Sequence, residues 1–269
     1  MAVEKQEGGT PNFDTGAAHI ARVQDCWLGG KENYAADREA GDEGILAFPD
    51  MVASVRNTRA FLARLVHYLA GETGIRQFLD IGTGLPAANN THEVAQAIAP
   101  ESRVVYADND PIVLAHARAL LDSHPSGITD YLDADIRGPE RILTEAARTL
   151  DFSRPVALML VAVLQFVPDE DDPYGIVERL KAAVPSGSYL AISHPANDLQ
   201  ATAMASMAER LSQLMVQRVT LRAHDQVARF LDGWDLIAPG LVRAPEWRPA
   251  SPDDAATPST MWSGVARKP

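Results

Sequence analysis

The sequence predicts an α/β protein built on an open, seven-stranded, mostly parallel sheet with helices on both faces, preceded by an N-terminal helical extension. Three features lead there. From Gly74 onward, short runs rich in β-branched and aromatic residues alternate with runs of helical period, the pattern of parallel βαβ units. Ahead of them stand two amphipathic helical stretches. Behind them, two strand-like runs follow one another without a crossover helix, so they should pair antiparallel.

Taken in order, residues 1–16 are polar, carry Gly8, Gly9, Pro11 and Gly16, and are expected as a flexible arm. Ile20, Val23 and Trp27 give 17–28 an apolar helix face, stopped at Gly29-Gly30. Val55, Phe61, Leu62, Leu65, Val66 and Leu69 do the same for 53–70, which Gly71 ends. Residues 17–74 are therefore expected as a helical cap and 75–269 as the sheet domain. Strands are expected at 77–81, 103–108, 129–134, 155–163 and 188–194. Helices at about 87–98, 111–122, 138–150 and 173–184 connect them, giving five parallel strands with crossovers on both faces. A long helix near 199–216 and a short one near 225–232 lead to the last two strands, 234–237 and 261–266. The loop 245–258, rich in proline and acid, reads as mobile or substrate-facing.

With 269 residues the chain can bury a large core, which excludes a peptide-like module. Its net charge of -12 repels polyanions, so no nucleic-acid partner is expected. Residues 1–10 lack the apolar stretch of a secretory signal. The longest apolar run, 155–167, falls short of the about 20 residues that a membrane helix needs. A cytoplasmic location without a membrane partner is the expectation. The single cysteine, Cys26, cannot form an intrachain disulfide and reads as structural. The apolar face of 199–216 would suit the core or a second subunit, leaving a homo-oligomer open.

The most informative segment is Phe78-Leu79-Asp80-Ile81-Gly82-Thr83-Gly84-Leu85-Pro86-Ala87, a buried strand running into a glycine turn. Glycines there let a ligand approach the backbone at the carboxyl edge of the sheet, the hallmark of Rossmann-like folds. Gly82, Gly84 and Ala87 also satisfy the dinucleotide pattern, so a nicotinamide-dependent oxidoreductase is one reading. Asp80, two residues ahead of the first glycine, argues against it, because a carboxylate repels a diphosphate and attracts an ammonium group. Asp108 ends the second strand, 26 positions after Gly82, where an acid can accept both ribose hydroxyls. Asn109 follows it, and Asp110 is read as the cap of the next helix. After the third strand, Asp135 can receive an adenine amino group while Ile136 packs on the ring.

Three acids at three successive strand ends, with the glycine loop, resemble the class I S-adenosylmethionine-dependent methyltransferases. The resemblance implies S-adenosyl-L-methionine as cofactor and S-adenosyl-L-homocysteine as product. Asp80, Gly82, Thr83 and Gly84 would hold the methionine part, Asp108 and Asn109 the ribose, and Asp135 and Ile136 the adenine. It also implies a seventh strand inserted antiparallel to the rest. A closer resemblance rests on WLGGKENYAADR (27–38), VRNTRAF (55–61), YADNDP (106–111) and EWRP (246–249). These segments are similar to a bacterial family of S-adenosyl methyltransferases whose substrates are largely unassigned. Pro86 departs from the class pattern, standing where a third glycine is frequent, and is tolerable in the first turn of a helix.

Methyltransferases of base amino groups carry Asn or Asp, then Pro-Pro and an aromatic, after the fourth strand. Residues 163–169, VLQFVPD, lack this motif, so the expected acceptor is a small molecule. Gln165 and Phe166 are candidates to line its pocket, and Phe166 reads equally as a core residue. His194, ending the fifth strand, is the candidate general base, weighed against a hydrogen-bonded structural histidine. The N-terminal helices should cover the site, with Arg22, Asn33, Arg56 and Asn57 as polar contacts to the cofactor or acceptor, and Tyr34 beside the acceptor. Arg56 and Arg59 read equally as a solvated helix face. No metal is expected, because Asp169-Glu170-Asp171-Asp172 suits the positive end of the helix that follows. A protein that senses the cofactor without transferring its methyl group is the alternative from another class.

Overall fold

The structure, a computed structural model, describes residues 15–120 and 123–269, so 1–14 of the expected arm lie outside the described residues. The chain begins with helices α1 (Ile20–Leu28), α2 (Ala35–Ala47) and α3 (Met51–His67), the last running into a π turn. Alternating units follow: β1 (Gln77–Ile81), α4 (Thr91–Ile98), β2 (Arg103–Asp108), α5 (Pro111–Leu120), β3 (Ile128–Asp133), α6 (Pro139–Ala146), β4 (Ala157–Val161), α7 (Pro173–Ala182) and β5 (Tyr189–Pro195). The remainder is α8 (Ala201–Leu214), α9 (His224–Ala228), β6 (Asp235–Leu236), β7 (Val242–Arg243), α10 (Pro252–Ala255) and β8 (Met261–Arg267).

The sheet has eight strands, in the order β3-β2-β1-β4-β5-β8-β6, with β7 also paired to β8. The sequence reading gave seven. The addition is β7, whose two residues are too few to leave a period in the sequence. The first five strands are parallel, and β8 inserts between β5 and β6, antiparallel to both. Chain order reverses between β1 and β4, which opens a crevice beyond their carboxyl ends.

Every residue of β1 is buried, because helices cover both faces of the sheet. Leu79 and Ile81 point into one core with Leu158, Leu160, Ile142 and Ile176. Phe78 points into the other, with Phe61, Leu65, Leu69 and Trp247. Strand alternation therefore turns Asp80 toward the α3 side. A third cluster joins α1, α2 and α3 to α8 through Val23, Trp27, Phe48, Met51, Met204 and Leu211. It covers the crevice.

Three expectations need correction. Helix α2 was not anticipated, because its buried face is Asp37, Ala40, Gly41 and Gly44 rather than an apolar stripe. Trp27 fills that face, donating to Gly41 O at 3.0 Å, and a Cβ on Gly44 would stand 2.8 Å from its ring. Helix α4 starts at Thr91, not near 87, so Pro86 lies in an extended loop instead of a first helical turn. Asn90 and Glu93 form the capping box that fixes this start. The loop 245–258 is tied to α3 rather than facing the crevice. Trp247 is fully buried against Phe61 and Tyr68, Arg64 donates to Trp247 O and Ala244 O, and Asn57 donates to Pro258 O.

Candidate active site

Two adjoining pockets occupy the crevice and share Gly82, Ala162, Ile20, Gln24 and Phe166. One lies over the ends of β2 and β3. The other runs under α1, α3 and α8.

Asp108, Asn109, Asp135, Ile136 and Gly84 all line the first pocket. Asp108 accepts from Gly84 N at 3.0 Å and Asp110 N at 2.9 Å, which orients its carboxylate at the strand end. Burial pushes its carboxyl above the usual range, and those two N–H groups oppose the rise. Asn109 donates to Asp135 at 2.9 Å. Arg137 pairs with both carboxylate oxygens of Asp135, at 3.1 and 3.2 Å, and donates to Phe166 O at 2.7 Å, linking the third strand end to the fourth. Ile136 is buried beside them. Over this pocket lies the start of α1, held where His19 Nδ1 meets Asp110 at 2.8 Å and the His19 ring meets the Gln217 amide. Asp110 also caps α5 as expected, accepting from Ile112 N at 2.8 Å.

Asp80 and Thr83 line the second pocket, with Gly82 at the junction. Asp80 is buried and accepts from the Thr91 hydroxyl at 2.6 Å. Burial raises its carboxyl from 3.8 to about 6, with Thr91 and Arg59 opposing the rise and Asp108 adding to it. Arg59, on α3, faces the same space and donates to Ala88 O at 3.1 Å. Its guanidinium is pulled down by burial and pushed back up by Asp80. Gly82 has φ of 76°, and a Cβ there would lie 2.3 Å from Val163 Cγ2, so glycine is required both by backbone conformation and by space. The crevice thus carries the opposite charges of Asp80 and Arg59 at one end, and apolar Ile81, Ala134 and Ile136 beside the Asp135 carboxylate at the other.

Gln165 and Phe166 line the second pocket as expected, and Phe166 reaches both. Gln165 Nε2 donates to Ala162 O at 2.7 Å, and its Oε1 is buried without a hydrogen-bond partner among the described residues. The walls beyond are Trp27, Met51, Met204, Met207, Leu211 and Met261.

Other candidates lie elsewhere. Arg22 is a buried residue of α1, donating to Ala17 O at 2.6 Å and pairing with Asp37 at 3.2 Å. Asn33 bonds Asp25 and Gly30 O, closing the turn between α1 and α2. Arg56 is exposed on α3, and Tyr34 is 40% exposed beneath the Arg22 guanidinium. None of the four lines either pocket. His194 does not line them either. It is fully buried, its Nδ1 hydrogen bonded to Pro195 O at 2.9 Å and its Nε2 accepting from Arg222 at 2.8 Å. Burial first, and Arg222 second, lower its pKa to about 3, so the ring stays neutral. Arg222 also grips Leu164 O, Val167 O and Asp169, and thereby fixes the loop that carries Gln165 and Phe166. Asp172 caps α7, and its neighbours pair with Arg137, Arg218 and Arg222.

The sequence reading missed His19, Gln24 and Gln217, which come together only when α1 folds over β2. Arg59 carried a signal: it stands four residues after Val55 and three before Leu62, on the buried stripe of α3.

Residues 6–269 match the model of the S-adenosyl methyltransferase family. A DUF574 family protein from Streptomyces avermitilis is 44% identical, with a TM-score of 0.89, covering 95% of this chain and 99% of its own. A provisionally assigned methyltransferase from Thermobifida fusca is 38% identical, with a TM-score of 0.88, over 96% of this chain and 97% of its own. At 11% identity, a SAM-dependent methyltransferase from Anabaena variabilis shares the fold alone, with a TM-score of 0.52 over 93% of this chain and 96% of its own. No curated protein matches the chain significantly.

Proposed function

The chain belongs to the S-adenosyl methyltransferase family and is an enzyme that uses S-adenosyl-L-methionine, and on that premise we propose that it methylates a small molecule held in the second pocket. The observation that carries this reading is the continuity of the two pockets at Gly82 and Ala162. A cofactor laid along the strand ends would present its methyl group where one pocket opens into the other.

The residues fit that cofactor. Asp80 and Arg59 offer opposite charges to the ammonium and carboxylate of its methionine part, and Gly82 makes the turn between the two pockets, where a Cβ would collide with Val163. Asp108 would accept the ribose hydroxyls, and Asp135 with Ile136 would meet the adenine. A diphosphate would face the Asp80 carboxylate instead.

S-adenosyl-L-methionine supplies an electrophilic methyl group, so the protein's task is to align an acceptor atom in line with it. Among the described residues, the charged side chains lining the second pocket are Arg59 and Asp80, and both are assigned to the methionine part. His194 is read here as a positioning residue, holding Arg222 and through it the loop of Gln165 and Phe166. Acceleration then rests on positioning rather than on a protein base. The cap helices α1 to α3 and the sheet from β1 onward are proposed as the two parts of the enzyme, with the acceptor between them. No helix among the described residues is long and apolar enough to cross a membrane.

The test is to incubate the purified protein with methyl-labelled S-adenosylmethionine and size-fractionated cell extract. Label should appear in a compound of the low-mass fraction as S-adenosylhomocysteine accumulates. Label confined to protein or nucleic acid, or cofactor binding with no transfer to any fraction, would overturn the proposal.

A further inference from the structure

The second pocket has walls whose chemistry does not follow from the cofactor. It extends from the methionine end into the space beneath α8, with Trp27, Met204, Met207 and Leu211 around it. Four methionines, Met51, Met204, Met207 and Met261, stand on three separate elements around it, and each is at least nine-tenths buried. Unbranched thioether side chains make a wall that adapts to an apolar guest. Trp27 presents only its ring, since its N–H is already donated to Gly41 O.

Beyond Asp80 and Arg59, the polar side chains on the wall, among them Gln24, Ser54, Thr58 and Gln165, are uncharged. The Thr58 hydroxyl donates to Ser54 O at 3.0 Å, and Ser54 Oγ accepts from Thr260 N at 3.4 Å. Gln165 Nε2 is spent on Ala162 O, which leaves the buried Oε1 as an unmet demand for a donor. Asp80 and Arg59 sit at the methionine end. An ionic acceptor would therefore leave water for a space with no counter-charge of its own, a transfer that costs far more than burying an apolar body.

Resting on the methyltransferase reading, we infer that the acceptor is an uncharged, predominantly apolar molecule, with an N–H or O–H group as its polar handle. Acidic, phosphorylated and sugar-like acceptors are excluded by the same wall.

The experiment compares two fluorescent probes that share one body, phenylnaphthylamine and its sulfonated counterpart anilinonaphthalene sulfonate, titrated into protein saturated with S-adenosylhomocysteine. Calorimetry first establishes that saturation, so failure of cofactor binding would count against the methyltransferase reading and not against the acceptor class. The neutral probe should bind saturably and at least about tenfold more tightly than the sulfonate. Val55→Asp, on α3, and Val219→Asp, in the segment between α8 and α9, place a charge at half-buried wall positions. Each should weaken the neutral probe about tenfold or more while S-adenosylhomocysteine affinity stays within about twofold, which also verifies folding. Equal or tighter binding of the sulfonate, no saturable binding of the neutral probe, or unchanged probe affinity in both variants would overturn the inference.

Discussion

Asp80 should make cofactor affinity depend on pH, with a slope set by its surroundings. Its carboxyl is raised to about 6, mainly by burial, while the Thr91 hydroxyl and Arg59 pull it down and Asp108 pushes it up. Only the carboxylate attracts an ammonium group, so binding below that pH must also displace a proton. Each further pH unit of acid should then weaken binding by up to about tenfold, or about 1.4 kcal/mol. Between pH 7 and 5 the dissociation constant for S-adenosylhomocysteine should rise about tenfold. The empty protein behaves in the opposite sense. A carboxyl raised in the folded state contributes stability at low pH, fully below its ordinary value of 3.8, and that contribution is lost as pH rises through about 6. Calorimetric titrations of the parent and Asp80→Asn across this range decide the matter. The substitution should weaken binding at neutral pH and remove most of the slope, leaving whatever Asp108 contributes. Affinity independent of pH in the parent, or an undiminished slope in Asp80→Asn, would refute the assignment of Asp80 to the ammonium group.

Two further outcomes follow from the geometry. Gly82→Ala forces a Cβ to 2.3 Å from Val163 at a φ of 76°, and should cost about 3 kcal/mol of stability and most of the cofactor affinity, read by thermal melting and calorimetry. His194→Gln should leave S-adenosylhomocysteine affinity unchanged and flatten acid unfolding. The histidine pKa is depressed to about 3 in the folded state, so the parent loses stability as pH falls from the ordinary value of 6.5 toward 3. Equal acid sensitivity in parent and variant would show that His194 is not the buried neutral partner of Arg222.

The sheet was legible because strands fully covered on both faces read as continuous apolar runs, and 77–81 and 103–108 match β1 and β2 residue for residue. The cap was less so. Helix α2 buries glycines, an alanine and an aspartate against Trp27, and no count of apolar periodicity finds such a face. The acids at strand ends were legible in the site, since Asp80, Asp108 and Asp135 each follow directly from strand position. Cap residues were not. Arg22, Asn33, Tyr34 and Arg56 stand on helices or turns whose facing is set by tertiary packing, and the cap residues that line the two pockets include His19, Gln24 and Arg59 instead. His194 shows the same limit at a strand end, because its neutrality comes first from full burial and then from Arg222, 28 residues away.

The most direct test of the cofactor site is a calorimetric titration of the parent and Asp108→Ala with S-adenosylmethionine and, separately, NAD. Saturable binding of S-adenosylmethionine, weakened about 10- to 100-fold by the substitution and with no binding of NAD, is the expected result. Binding of NAD in its place, or S-adenosylmethionine affinity unaltered in Asp108→Ala, would contradict it.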